Sequence, residues 1–282
     1  MAEGRTVEFR ILGGLEMVSP VGSATVSGGL QRVLLQTLLA SEGKAVSGET
    51  LMAELWGEAP PEGAANALQA HASRIRKKIR QLEPRRAHSR VVCLPHGYQL
   101  RMDGAELDAT VFVGYAARAE RMRAEAPAEA VGLLRRALGL WRGAVYGGSP
   151  GGPLCKAAAT RYEEHRLQAL ELLFDSELLL GRHTAVLAEL REAHMSDPLR
   201  ERFCEQLMIA LYRSGRQAEA LGVYRQTWRR LNEQLGVDPS PFLRRLEHGI
   251  LIQDAALDRG PVPAAHVVAG GVPALRPLPT RK

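Results

Sequence analysis

Apolar and polar residues alternate from Val7, with Val7, Phe9 and Ile11 set against Glu8 and Arg10. A period of two is the signature of a strand that buries one face. Gly13-Gly14 and Pro20-Val21-Gly22 supply turns, so residues 6–26 predict a small antiparallel sheet. The period then becomes helical. Leu30, Val33, Leu34 and Leu38 predict a helix over Gly29–Ser41, stopped at Gly43. Ser47 is placed to cap a second, short helix with Glu49 in its first turn and Leu51 and Leu55 on its buried face; Gly57 and Pro60-Pro61 end it.

The third helix, over 63–82, separates into two faces at 100° per residue. Leu68, Ala72, Ile75, Ile79 and Leu82 fall within about 80° of one another and form a dry stripe. Asn66, Gln69, Ala70, Ser73, Arg74 and Lys77 project from the other side. Two strand-like runs, 90–94 and 98–101, then flank Pro95-His96-Gly97 and predict a β-hairpin, with Gly97 expected to supply backbone freedom at the tip. Strands, three helices and a hairpin in that order predict a winged helix.

From Leu107 to Leu257 the chain is rich in Ala, Leu, Glu and Arg in helical periods, with no strand-like alternation, which predicts an all-α domain. Leu180-Gly181-Arg182 recurs as Ser214-Gly215-Arg216 with its glycine 34 residues later, the period of a tetratricopeptide helix pair. Ala128-Glu-Ala-Val131 echoes Ala218-Glu-Ala-Leu221. Asp197-Pro198 and Asp238-Pro239 are 41 apart, so the repeats are degenerate. Gly147–Pro153 interrupts the helices as a glycine-rich loop, and the Pro/Gly-rich end predicts disorder. The expected organisation is a winged helix over 1–104, a tetratricopeptide-like domain over 107–257 and a disordered tail over 258–282: an α+β domain followed by an all-α one.

A length of 282 residues suits two domains. The longest apolar run, Leu207–Tyr212, is far short of the ~20 residues needed to span a bilayer. No basic head and apolar segment opens the chain, so a cytoplasmic protein without membrane association is expected. Cys93, Cys155 and Cys204 are too scattered for a disulfide framework or a CxxC metal site. The net charge of +6 is mild, but its distribution is not. Between Arg74 and Arg90 eight basic residues oppose Glu83 alone, a balance of +7 in 17 residues.

No GxxxxGK[ST], GxSxG or HExxH pattern is present, nor a clustered Cys/His set, so no enzyme activity, cofactor or metal is expected. The outward face of the third helix carries the chemistry instead. A helix fits the major groove of B-DNA, where Gln pairs with adenine, Arg with guanine and Ser with either, while neighbouring cations neutralise phosphates. Gln69, Ser73 and Arg74 have those groups.

The run Leu51-Met-Ala-Glu-Leu-Trp-Gly57, the prolines after it, the stretch Asn66 to Ile79 and Pro95-His-Gly-Tyr98 resemble the OmpR-type winged helix of the Streptomyces antibiotic regulatory proteins. Leu107-Asp108 through Phe112, Ala137-Leu-Gly-Leu-Trp-Arg-Gly143, Leu199-Arg-Glu-Arg202, Leu211–Arg216 and Leu235-Gly-Val-Asp-Pro239 resemble that family's bacterial transcriptional activation domain. The resemblance spans about residues 5 to 257, and its specificity lies in the pairing of the two halves.

The resemblance implies base reading by Gln69, Ser73 and Arg74 and contacts to the DNA backbone by Trp56, Asn66, His71, Arg76 and Tyr98; Lys77 and Lys78 are expected to add nonspecific charge. Trp56 also suits a core position, His71 flanks the dry stripe, and Tyr98 suits a staple under the wing. Where the family places an arginine just before the Pro-x-Gly-Tyr segment this chain has Leu94; Arg90, His96 and Arg101 are the nearby substitutes. No receiver domain precedes the winged helix, so a phosphorylation switch is not expected. The implied function is a nucleoid-associated transcriptional activator. It would bind direct repeats upstream of antibiotic-biosynthesis promoters as two protomers and recruit RNA polymerase holoenzyme through its sigma factor. The alternative is a protein-binding adaptor in which the helical repeats act and the winged helix is structural.

Overall fold

The computed structural model describes residues 7–258. The expected tail beyond Asp258 lies outside them. The described chain forms two compact units that meet in sequence at Leu173 and Phe174.

The first unit opens with β1 (Glu8–Arg10), β2 (Glu16–Ser19) and β3 (Gly22–Thr25), paired antiparallel as their alternation predicts. The sheet is mixed, however. A two-residue strand, numbered β7 here (Glu106–Leu107), joins β1 in parallel, giving the order β3-β2-β1-β7. Two residues carry no readable period, so only the fold reveals this strand.

Helices α1 (Gly29–Ala40), α2 (Gly48–Trp56) and α3 (Ala64–Leu82) follow close to their expected bounds. The Ser47 hydroxyl caps α2 by accepting the Thr50 N–H at 3.0 Å. All five stripe residues of α3 are buried, packed in a core with Phe9, Met17, Leu34, Leu38 and Leu51. The hairpin is β5 (Val91–Leu94) and β6 (Gly97–Leu100), turned by Pro95 and His96. A further short strand, β4 (Val46–Ser47), pairs with β6 and completes a three-stranded sheet.

Gly97 departs from expectation. It is absent from the left-handed region of the backbone map; it lies inside β6. A Cβ there would sit 1.9 Å from the Val46 carbonyl oxygen and 2.8 Å from Ser47 Cα. Glycine is needed because β4 presses against this point, not because a turn demands it.

The same unit continues into helices. α4 (Asp108–Met122) packs on α5 (Pro127–Leu138), and α6 (Pro153–Leu179) starts in this unit. Polar contacts bind these helices to the winged-helix part. Buried Asp108, the first residue of α4, accepts the N–H groups of Ile11 at 2.9 Å and Leu12 at 3.1 Å, and Arg142 pairs with it at 3.0 Å. Arg142 N–H in turn donates to the Leu12 carbonyl at 2.7 Å. Backbone groups are thereby satisfied in the interior, where leaving one unpaired costs about 1–3 kcal/mol.

The second unit holds the end of α6 with α7 (Leu187–Ser196), α8 (Glu201–Arg213), α9 (Gln217–Leu235) and α10 (Pro241–Leu251). α8 packs against α7, α9 and α10, and its interior includes Phe203, Cys204, Leu207 and Met208. The two glycines that mark the repeat have the same left-handed backbone, φ +73° at Gly181 and +72° at Gly215. In each turn the following arginine N–H returns to a carbonyl five residues back at 2.9 Å, Arg182 to Glu177 and Arg216 to Leu211. The sequence echo is a conformational echo. No described helix is long and apolar enough to cross a membrane.

Candidate nucleic-acid interface

The candidate surface is the side of α3 opposite its dry stripe. Asn66, Gln69, Ala70, Ser73, Arg74 and Lys77 are all exposed, whereas Leu68, Ala72, Ile75, Ile79 and Leu82 are buried. One helix thus presents an amide, a hydroxyl, a guanidinium and an ammonium group at successive turns on a rigid, anchored frame. The N-terminus of α3 begins at Gly63, whose φ of +79° breaks the chain sharply after the proline pair.

The remaining expected residues divide. Trp56, at the end of α2, and His71 are half-buried and stack obliquely, their ring centroids 6.5 Å apart. Burial and the nearby Arg74 charge lower the His71 pKa, favouring the neutral ring. Arg76 is half-buried; its Nε donates to the Val91 carbonyl at 2.8 Å and its guanidinium lies 5.7 Å from the centre of the Tyr98 ring. Arg76 therefore ties α3 to both wing strands. Tyr98 is 7% exposed and is chiefly a core residue of the wing; its burial raises the phenol pKa.

The basic run is partly spent on structure. Arg90 is 1% exposed: its Nη2 and Nε pair with Glu83, and its Nη1 donates to the carbonyls of Arg101 and Asp103. A buried guanidinium persists only when paired in this way, so Arg90 is no substitute for the missing wing arginine. Arg86 pairs with Asp103, and Lys78 Nζ donates to the Thr25 carbonyl at 2.8 Å. Arg74, Lys77, Arg80 and Arg85 are the exposed cations of the run. Charge counting along the sequence overstated the outward charge because it cannot see which cations find carboxylates or carbonyls across the fold.

Among the described residues no group of three or more His, Cys, Asp or Glu is placed to hold a metal ion. Cys155 and Cys204 are buried thiols and Cys93 is exposed on β5.

Residues 107–251 match the family described as bacterial transcriptional activator domain, and residues 28–99 that described as transcriptional regulatory protein, C terminal. The transcriptional regulator RedD of Streptomyces coelicolor is 40% identical over 90% of this chain and 73% of its own length. The regulatory protein DnrI of Streptomyces peucetius is 35% identical over 84% of this chain and 90% of its own. The solved structure of Mycobacterium tuberculosis EmbR in complex with a low-affinity phosphopeptide superposes with a TM-score of 0.78 at 31% identity. It covers 88% of this chain and 65% of the EmbR chain. With both halves matched in order and two relatives aligned over most of their length, the chain belongs to the Streptomyces antibiotic regulatory protein family of transcriptional regulators.

Proposed function

We propose that this chain is a sequence-specific DNA-binding activator of transcription. It reads base edges in the major groove through Gln69, Ser73 and Arg74, and it holds the duplex backbone with Asn66, Lys77 and the half-buried groups of Trp56, His71 and Arg76. Tyr98 supports that surface from beneath the wing. The observation that carries this reading is the exposed polar face of α3 standing directly opposite its five buried stripe residues.

The targets proposed are direct repeats upstream of antibiotic-biosynthesis promoters, occupied by two protomers on one face of the duplex. RNA polymerase holoenzyme, approached through its sigma factor, is the proposed protein partner. The helical repeats support that role because stacked helix pairs present broad surfaces suited to proteins. The action belongs on the nucleoid, in the cytoplasm. Footprinting the purified chain over promoters beside its own gene tests all of this. Protected tandem repeats about one helical turn apart are expected; the absence of any protected sequence would overturn the reading.

A further inference from the structure

Beyond the proposed base-reading face, α3 ends in a second feature. A notch lies between its last two turns and the loop leading to β5, lined by Arg76, Arg80, Arg86 and His88 over a floor made by the buried Glu83–Arg90 pair. Four guanidinium groups meet there against two carboxylates, Glu83 and Asp103. Arg86 spends its terminal nitrogens on Asp103, while its Nε is buried with no acceptor among the described residues. A buried N–H without an acceptor costs free energy, so it marks a place where an oxygen belongs.

The enclosed space is about 10 Å³. That admits one water-sized group, too little for a whole anion and enough for one of its oxygens. At 100° per residue, Arg76 and Arg80 project on the same side of α3 as Gln69 and Ser73, within about 60° of one another. The notch is therefore the continuation of the proposed DNA face toward the wing.

Resting on the DNA-binding reading, we propose that this notch seats one phosphate of the duplex backbone, with one of its oxygens in the notch against Arg86, its remaining charge met by Arg80 and a further oxygen within reach of the exposed His88 ring. The seat fixes the register of α3 on the duplex and carries no base information, as phosphate contacts do.

The test uses the full chain and a duplex selected by it from a random-sequence pool. R80A/H88A removes exposed side chains, and R86K keeps the charge but removes Nε. Each variant is expected to bind all sequences about tenfold more weakly. The slope of log K against log salt should shrink by about 0.9 in R80A/H88A and stay near the wild-type value in R86K, which keeps its charge; sequence preference should be unchanged in both. Scanning single methylphosphonates along the duplex should find one position that weakens the wild-type chain and leaves R80A/H88A unaffected. A wild-type slope in R80A/H88A together with wild-type affinity in R86K, while Arg74→Ala still loses sequence preference, would overturn the phosphate seat alone. Loss of preference in neither Arg74→Ala nor Gln69→Ala would instead remove the reading beneath it. Phosphorus line broadening of inorganic phosphate by the chain without DNA, lost in R80A/H88A while the salt slope stays unchanged, would overturn the duplex as its source.

Discussion

Glu54, near the end of α2, accepts the backbone N–H of Leu154 at 2.6 Å across 100 residues of sequence. The same carboxylate accepts the Cys155 N–H at 3.4 Å. Both donors lie in the first turn of α6, where backbone N–H groups have no partner within the helix and a negative charge is favoured. The recognition module thus supplies the cap of a helix that belongs to the activator domain. Around this point Thr37 meets Cys155 at 3.4 Å, and Tyr162 donates to Glu42 at 2.9 Å.

Glu54→Ala should therefore destabilise the first unit by about 1–3 kcal/mol, because it strands buried donors. Glu54→Gln keeps an acceptor oxygen and should cost less. Denaturant unfolding of the full chain gives both numbers; an alanine variant that melts with the wild type would show that the cap contributes nothing.

Gly97→Ala places a methyl group onto the Val46 carbonyl, at 1.9 Å before relaxation. No flexible side chain can yield there, since the obstacle is backbone. A loss of about 3 kcal/mol or more is expected, together with loss of DNA binding as the wing separates from β4. A fully stable alanine variant with wild-type affinity would mean that β4 moves aside freely.

Glu205 in α8 tests the second unit. Its carboxyl is pushed up to about 7 by burial, with the pairing to Arg202 acting against that shift. The folded-state pKa exceeds that of an unfolded glutamate, so the proton stabilises the fold at low pH and that contribution is lost as pH rises through about 7. Wild-type stability should fall between pH 5 and pH 8 relative to Glu205→Gln, by about 1–3 kcal/mol. Thermal unfolding of both proteins across that range measures the difference; parallel curves would refute it.

Arg74 and Lys77 sit one turn apart on α3 yet are expected to fail differently. Arg74→Ala should lower affinity for the selected sequence by about 10- to 100-fold, equivalent to the 1–3 kcal/mol of one bidentate base contact. Random duplex should be bound nearly as before. Lys77→Ala should weaken selected and random duplexes equally and reduce the salt slope by about 1. Competition binding at several salt concentrations separates the two; identical behaviour would place Arg74 on phosphate.

The faces of α3 were legible from spacing alone, since a 3.6-residue period and five aliphatic residues define a buried stripe without reference to any partner. Ser47 was legible as a cap, and Gly181 and Gly215 as equivalent turns, because a local hydrogen bond or one φ angle decides each. The strands β4 and β7 were not, being two residues long and defined wholly by their neighbours. Nor was the reason for Gly97, which lies in a strand 51 residues earlier.

What the chain by itself determined is what acts within a few residues: periods, caps, turns, and through them the identity of the face that carries Gln69, Ser73 and Arg74. Tertiary structure alone decided how charge is spent, drawing Arg90 into the interior against Glu83, turning Arg76 toward the wing and setting Glu54 on the first turn of α6. The division has a physical cause. Helical and strand periodicity follows from local backbone geometry, whereas ion pairing depends on which distant groups folding brings within about 4 Å of one another and out of water.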